Sequence, residues 1–186
     1  MAWRLKLDKT LQKCLVLKAM SPRPYPYNVA WDGKQTSPGI TKLIELTKAR
    51  WGTRSLGAYV NRNMNRNVTP PLKSVHATGN CFDCDYGIKK TEKENEALAR
   101  VIWDFLLHNS ETLGISLVNW YAFGTYGATY KSSRGEGKLG VRIHSSDAES
   151  AGSYQGTPTW LHIELDVAMS KDAAKFARAW ASIPYP

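Results

Sequence analysis

The chain has 186 residues, 42% of them hydrophobic and 22% charged, which suits one soluble domain with a core of its own. Lys and Arg outnumber Asp and Glu by 25 to 16, a formal charge of +9, yet no run of five or more basic residues and no DNA- or RNA-binding motif accompanies it. Three cysteines, Cys14, Cys81 and Cys84, exclude a disulfide framework, and no segment approaches the roughly 18 apolar residues of a membrane span.

Residues 1–37 read as a loosely organised lead-in. Its Ser21-Pro22-Arg23-Pro24-Tyr25-Pro26-Tyr27 stretch cannot be helical, because each proline removes a donor and restricts its predecessor. The N-terminus lacks a long apolar stretch before a small-residue cleavage site, so no signal peptide is expected. Residues 38–186 are expected to form the domain proper. A helix should follow Ser37 as N-cap, with Pro38 at its first position, Ile40, Leu43, Ile44 and Leu46 on its apolar face and Gly52 as its stop.

Residues 53–90 mix short apolar pieces with Asn, Pro and Gly, the pattern of strands and loops. Thr91-Glu92-Lys93-Glu94 is a capping box opening a helix with Leu98, Val101, Ile102, Phe105 and Leu106 at helical spacing. Ile115–Tyr121 reads as a strand, and 122–158, rich in Gly and Ser, as a long loop region. Trp160–Val167 is the last strand, after which Ser170 is expected to cap a helix burying Ala174, Phe176, Ala177 and Trp180. Helices and strands mix without strict alternation, so the class is α+β.

The densest chemistry lies in Ser74-Val75-His76-Ala77-Thr78-Gly79-Asn80-Cys81-Phe82-Asp83, or S-x-H-x-x-G-x-x-x-D. Imidazole and carboxylate are good zinc ligands, and glycine between them lets the backbone turn close to the site. Downstream, Leu161-His162-Ile163-Glu164-Leu165 supplies another imidazole and, two residues on along a strand, a carboxylate on the same face. Cys81-Phe82-Asp83-Cys84 is also a C-x-x-C. A zinc ribbon needs a second such pair, and a thioredoxin motif should open a helix where Asp85-Tyr86-Gly87 follows instead. On a strand, Cys81 would share the face of Asp83 and Cys84 would face away, both as packed residues.

The S-x-H-x-x-G-x-x-x-D string resembles the metal motif of the peptidase M15 family, which includes D-alanyl-D-alanine carboxypeptidases and phage endolysins. That fold also occurs in the Hedgehog signalling domain. The family pattern, S-x-H-x-x-G-x-A-x-D, is followed by a distant strand with the third ligand, here matched by His162. Thr53–Asn63 is similar to the segment that leads into the motif with a substrate-facing Arg, matched by Arg62 with Arg66 in reserve. The resemblance spans about Thr53 to Val167.

It implies a Hedgehog/DD-peptidase-like single domain, with a central antiparallel sheet, flanking helices and a long loop region before the last ligand strand. It implies zinc on His76, Asp83 and His162, three ligands that leave a fourth position open as in catalytic sites. The substrate would be a peptidoglycan stem peptide cut at D-Ala-D-Ala or L-Ala-D-Glu. The setting would be a phage endolysin or virion-associated lysin, made in a host cytoplasm and acting at the wall or carried in a virion, with other phage virion proteins as further partners. Arg62 would hold the substrate carboxylate or the developing oxyanion, with Ser74 and Gly79 shaping the loop between.

Two departures matter. Cys81 replaces the family's small Ala. The positions that supply the general base in many members are Thr159 and Trp160, neither able to take a proton. Glu164 then becomes the candidate base, with Asp147, Glu149 and His144 as alternatives, and orientation of a ligand as its other role. A non-catalytic zinc protein that binds walls or builds virions, and a basic nucleic-acid-binding domain, are the competing readings.

Overall fold

The computed structural model describes residues 22–25, 34–64, 69–146, 149 and 158–184. Among them, five helices and one open six-stranded antiparallel sheet make a mixed α and β unit. The helices are α1 (Pro38–Trp51), α2 (Glu92–His108), α3 (Ser110–Leu113), α4 (Val167–Ser170) and α5 (Ala173–Ala181). The strands are β1 (Arg54–Gly57), β2 (Cys81–Asp85), β3 (Ile115–Trp120), β4 (Ala128–Lys131), β5 (Val141–Ile143) and β6 (Trp160–Leu165), in the order β1-β2-β6-β3-β4-β5. No helix among the described residues is long and apolar enough to cross a membrane.

Helix boundaries follow their local chemistry. Pro38 opens α1 with its ring already set at a helical φ, and Gly52 ends it at φ 76, its N–H donating to the Lys48 carbonyl. Ser37 occupies the N-cap position without a side-chain capping bond; its backbone N–H donates to the Gly79 carbonyl at 3.0 Å. The capping box at Thr91 and Glu94 is complete, each side chain accepting from the other's backbone N–H.

The buried face of α2 is rotated from the expected one. Ala99, Ile102, Trp103, Leu106 and Leu107 are buried, whereas Val101 is 54% exposed and Leu98 and Phe105 only partly covered. The two stripes share Ile102 and Leu106, and Trp103 decides between them, its large ring packing against Trp120 of β3 with centroids 5.8 Å apart. At the end of the chain, Asp166 caps α4 and Asp172 caps α5, each accepting a backbone N–H, so Ser170 is not the cap. Carboxylates at N-caps also complement the helix dipole. Phe176 and Trp180 are buried as expected, but Ala174 is exposed.

The expected loop at 122–158 contains β4 and β5 in its described part. The turn from β3 to β4 uses Gly124 at φ 57 and Gly127 at φ 92, so glycines that suggest a loop serve here to join paired strands. Beyond β4, Glu136 accepts from the Ser110 and Tyr130 hydroxyls and pairs with Arg23, whose Nη1 also lies 3.0 Å from Asp166 Oδ2. The described part of the lead-in is thereby fastened to the domain.

Strand β6 lies between β2 and β3. Asp83 is opposite His162, which is opposite Asn119, while Cys81 is opposite Glu164 and Glu164 opposite Leu117. Alternation along the strands sends Phe82, Cys84, Val118, Trp120, Leu161 and Ile163 into the core with residues of α1 and α2. Each such fully buried apolar side chain contributes about 1.5–3 kcal/mol. The polar members of those strands are left together on the opposite face.

The rotated face of α2 has a direct test in urea unfolding. Ile102→Ala should cost about 2–5 kcal/mol, as a large-to-small core change, while Val101→Ala should stay within about 0.5 kcal/mol of the parent. Equal losses from both would restore the face expected from the sequence.

Candidate metal centre

The first donor comes from a single 3₁₀ turn, Val75–Thr78, between Ser74 and Gly79. The Ser74 hydroxyl accepts from the His76 N–H at 3.3 Å, and Gly79 closes the turn at φ 73, its N–H donating to the His76 carbonyl. A side chain at Gly79 would collide with the Gln35 carbonyl, so this glycine also lets the chain before α1 pass close by. His76 is 7% exposed, and its Nδ1 lies 2.8 Å from the Ala58 carbonyl, which only accepts. Nδ1 therefore carries the proton in the neutral ring and Nε2 keeps its lone pair.

The other groups come from the sheet. Asp83 on β2 reaches between two rings: Oδ2 is 3.4 Å from His76 Nε2, and Oδ1 is 3.0 Å from His162 Nδ1. The ring centroids are 5.1 Å apart. His162 Nε2 lies 3.1 Å from Glu164 Oε1, and Glu164 Oε2 accepts from the Tyr25 hydroxyl at 2.6 Å. Tyr25 in turn lies under the Lys131 ammonium, 4.0 Å from the ring centroid. Cys81, fully buried, stands two residues before Asp83 on the same face. One donor atom each from His76, Cys81 and His162 all lie within 4.8 Å of one another, a group that could hold a metal ion.

Charges in this cluster are strongly coupled. Burial works against ionising Asp83, but hydrogen bonds with His162 and His76 outweigh it and hold the carboxyl well below its usual range. Burial likewise opposes a charged His162, yet hydrogen bonds to Asp83 and Glu164 prevail and raise it to about 10. Burial, with the Glu164 and Asp83 charges added, pushes the Cys81 thiol well up. The two shifts are the two sides of one buried pair. A divalent cation bound here would replace that pairing, which fits a donor set of two imidazoles, a carboxylate and a thiol.

The structure brings His76, Asp83, His162 and Glu164 together and sets Arg62 beside them. The Arg62 carbonyl accepts from the Ser74 N–H at 3.0 Å, its side chain is exposed, and its charge acts on the Cys81 thiol. Arg66 and Asp147 lie outside the described residues. Glu149 belongs to a surface loop, bonded to Arg142 and Ser145. His144 joins the polar face two strands beyond β3, its Nε2 2.8 Å from the Thr129 hydroxyl, which bonds Asn119. Thr159 donates to Asp85, which also pairs with Arg54.

Glu164 shares the face of His162, as strand alternation requires, but it meets the ring on the Nε2 side, away from the Nδ1 that faces Asp83. That is the placement of a carboxylate orienting a metal-binding histidine. Tyr25 was not visible as a member of this group, because the lead-in carries none of the motif. Alternation alone gives Cys81 a packing role; its imidazole neighbours come from the register of β2 with β6 and from the Val75–Thr78 turn. Tyr121 also belongs here, packed edge-on against Trp160; burial, and then the Asp83 charge, pushes its hydroxyl up.

Comparison with protein-family models, with curated proteins and with solved structures returned no match for this chain.

Loss of an orienting carboxylate typically costs about 10–100-fold in metal affinity. Glu164→Gln should therefore weaken zinc binding by that range in a chelator competition, while Glu149→Gln leaves it unchanged. Equal affinity for Glu164→Gln and the parent would mean that the carboxylate does not tune the ring.

Proposed function

We propose that the chain is a zinc-dependent peptidase of bacterial cell-wall stem peptides, acting on D-Ala-D-Ala or L-Ala-D-Glu bonds as a phage endolysin or virion-associated lysin. The observation that carries the reading is Asp83 between His76 and His162, each ring's outer nitrogen already bonded elsewhere. The S-x-H-x-x-G-x-x-x-D resemblance supplies the substrate class. Zinc bound here would polarise a scissile carbonyl and make water acidic enough to attack at neutral pH.

The chain's own residues supply the rest. His76 and Asp83 offer the donor atoms that face each other across the site, and Glu164, fixed by Tyr25, holds the His162 ring in place. Arg62, exposed beside the turn that presents His76, offers a planar fork of donors to a peptide carboxylate. Trp160 and Tyr121 form an aromatic pair at the neighbouring end of β6.

A second reading is favoured by one observation. Thr159, at the position where a base would stand, is engaged by Asp85, and Glu164 is engaged by His162 and Tyr25. A non-catalytic protein that keeps zinc for folding or wall binding follows from that arrangement.

Purified peptidoglycan separates the two. The peptidase reading expects zinc-loaded protein to release new amino or carboxyl termini, chelation to abolish release, and added zinc to restore it. Arg62→Lys should then lose about 10–100-fold in kcat/KM, the worth of a charge-assisted hydrogen bond of about 1.5–3 kcal/mol. Stoichiometric zinc with no cleavage of any wall type would establish the non-catalytic reading.

A further inference from the structure

Cys81 occupies a position where the resembling motif has an alanine, and its surroundings differ from those of the other described cysteine. Cys84, on the opposite face of β2, is buried in the hydrophobic core with its thiol near Thr53 and Thr47. Such burial is ordinary for cysteine acting as a small apolar group. Cys81 is equally buried but faces two imidazoles and two carboxylates.

The placement is fixed by the sheet. Cys81 and Asp83 are two residues apart on β2 and so project to one face. In register they stand opposite Glu164 and His162. The donor atoms of His76, Cys81 and His162 lie within 4.8 Å of one another. With Zn–N of about 2.0–2.1 Å and Zn–S of about 2.3 Å, donors around one tetrahedral ion stand roughly 3–4 Å apart, so small side-chain shifts gather these three, and Asp83 already reaches both imidazoles.

We propose that Cys81 is itself a ligand of the metal, its sulfur joining His76, Asp83 and His162 around one ion. The inference rests on the metal reading of this site and extends it. As the sulfur–metal bond forms, the thiol proton leaves to solvent. Two nitrogens, one oxygen and one sulfur suit zinc and disfavour magnesium, calcium and manganese. Four protein donors also complete the tetrahedron, the arrangement of a closed site. Hydrolysis would then require Cys81 to give up its position, so the cysteine holds the resting centre latent.

Cobalt(II) loaded into the full chain reads the donors without reference to activity. Tetrahedral visible bands should appear together with a near-ultraviolet sulfur-to-cobalt charge-transfer band. Cys81→Ala should lose the charge-transfer band and keep visible bands, and Cys84→Ala should keep both. X-ray absorption at the zinc edge of the unaltered protein should show a sulfur shell at about 2.3 Å, which covers the case of a variant that fails to fold. Visible cobalt bands with no sulfur band, a band that survives Cys81→Ala, or a zinc shell of nitrogen and oxygen alone would overturn the proposal. Wall hydrolysis by protein with such a sulfur-free shell would leave the peptidase reading intact. Failure to bind either metal would remove both.

Discussion

A carboxylate held between two imidazoles organises this molecule. Asp83 can reach both rings only because β2 and β6 pair in a register that sets it opposite His162, and because the Ser74–Gly79 turn delivers His76 to the same point. Side chains alternate along a strand, so a slip of one residue would send Asp83, His162 and Glu164 into the hydrocarbon layer and expose Phe82 and Ile163. The apolar face of the sheet thereby fixes the polar one. Burying ionisable groups is costly unless each is paired. Here the pairing runs without a break from Tyr25 through Glu164 and His162 to Asp83 and His76.

The same economy explains why the described lead-in belongs to the domain. Arg23 is bonded to Glu136, Asp166 and the Ile115 carbonyl, and Tyr25 completes the hydrogen bonding of Glu164. Nothing in the composition of that proline-rich stretch announces either role, since an arginine and a tyrosine in a loop have no periodicity to betray their partners. Distant polar pairs of this kind are specified by tertiary geometry alone.

Local chemistry was the legible part of the fold. Pro38 and Gly52 bound α1, and Thr91 and Glu94 cap α2, because each signal involves neighbours in the chain; the last strand begins at Trp160 as expected but stops at Leu165 rather than Val167, since Asp166 caps α4. Rotation of α2 depended on Trp103 finding Trp120, which spacing cannot foresee. The strands β4 and β5 lie in a glycine-rich stretch, of which Gly124 and Gly127 form the turn into β4. In the site, S-x-H-x-x-G-x-x-x-D and His162 stood out through residue type and order. The side of the ring that Glu164 addresses did not, since alternation gives a face but not which nitrogen is met. Alternation puts Cys81 on the face of Asp83, but a buried cysteine is common enough that nothing in its spacing marks its two imidazole neighbours.

On the proposed reading, His76, Asp83 and His162 hold one metal ion. Anomalous scattering recorded on both sides of the zinc absorption edge, from crystals of the zinc-loaded protein, locates that ion. A single strong peak should stand about 2.0–2.2 Å from donor atoms of all three residues. A peak elsewhere on the molecule, or none where the zinc content is stoichiometric, would contradict it.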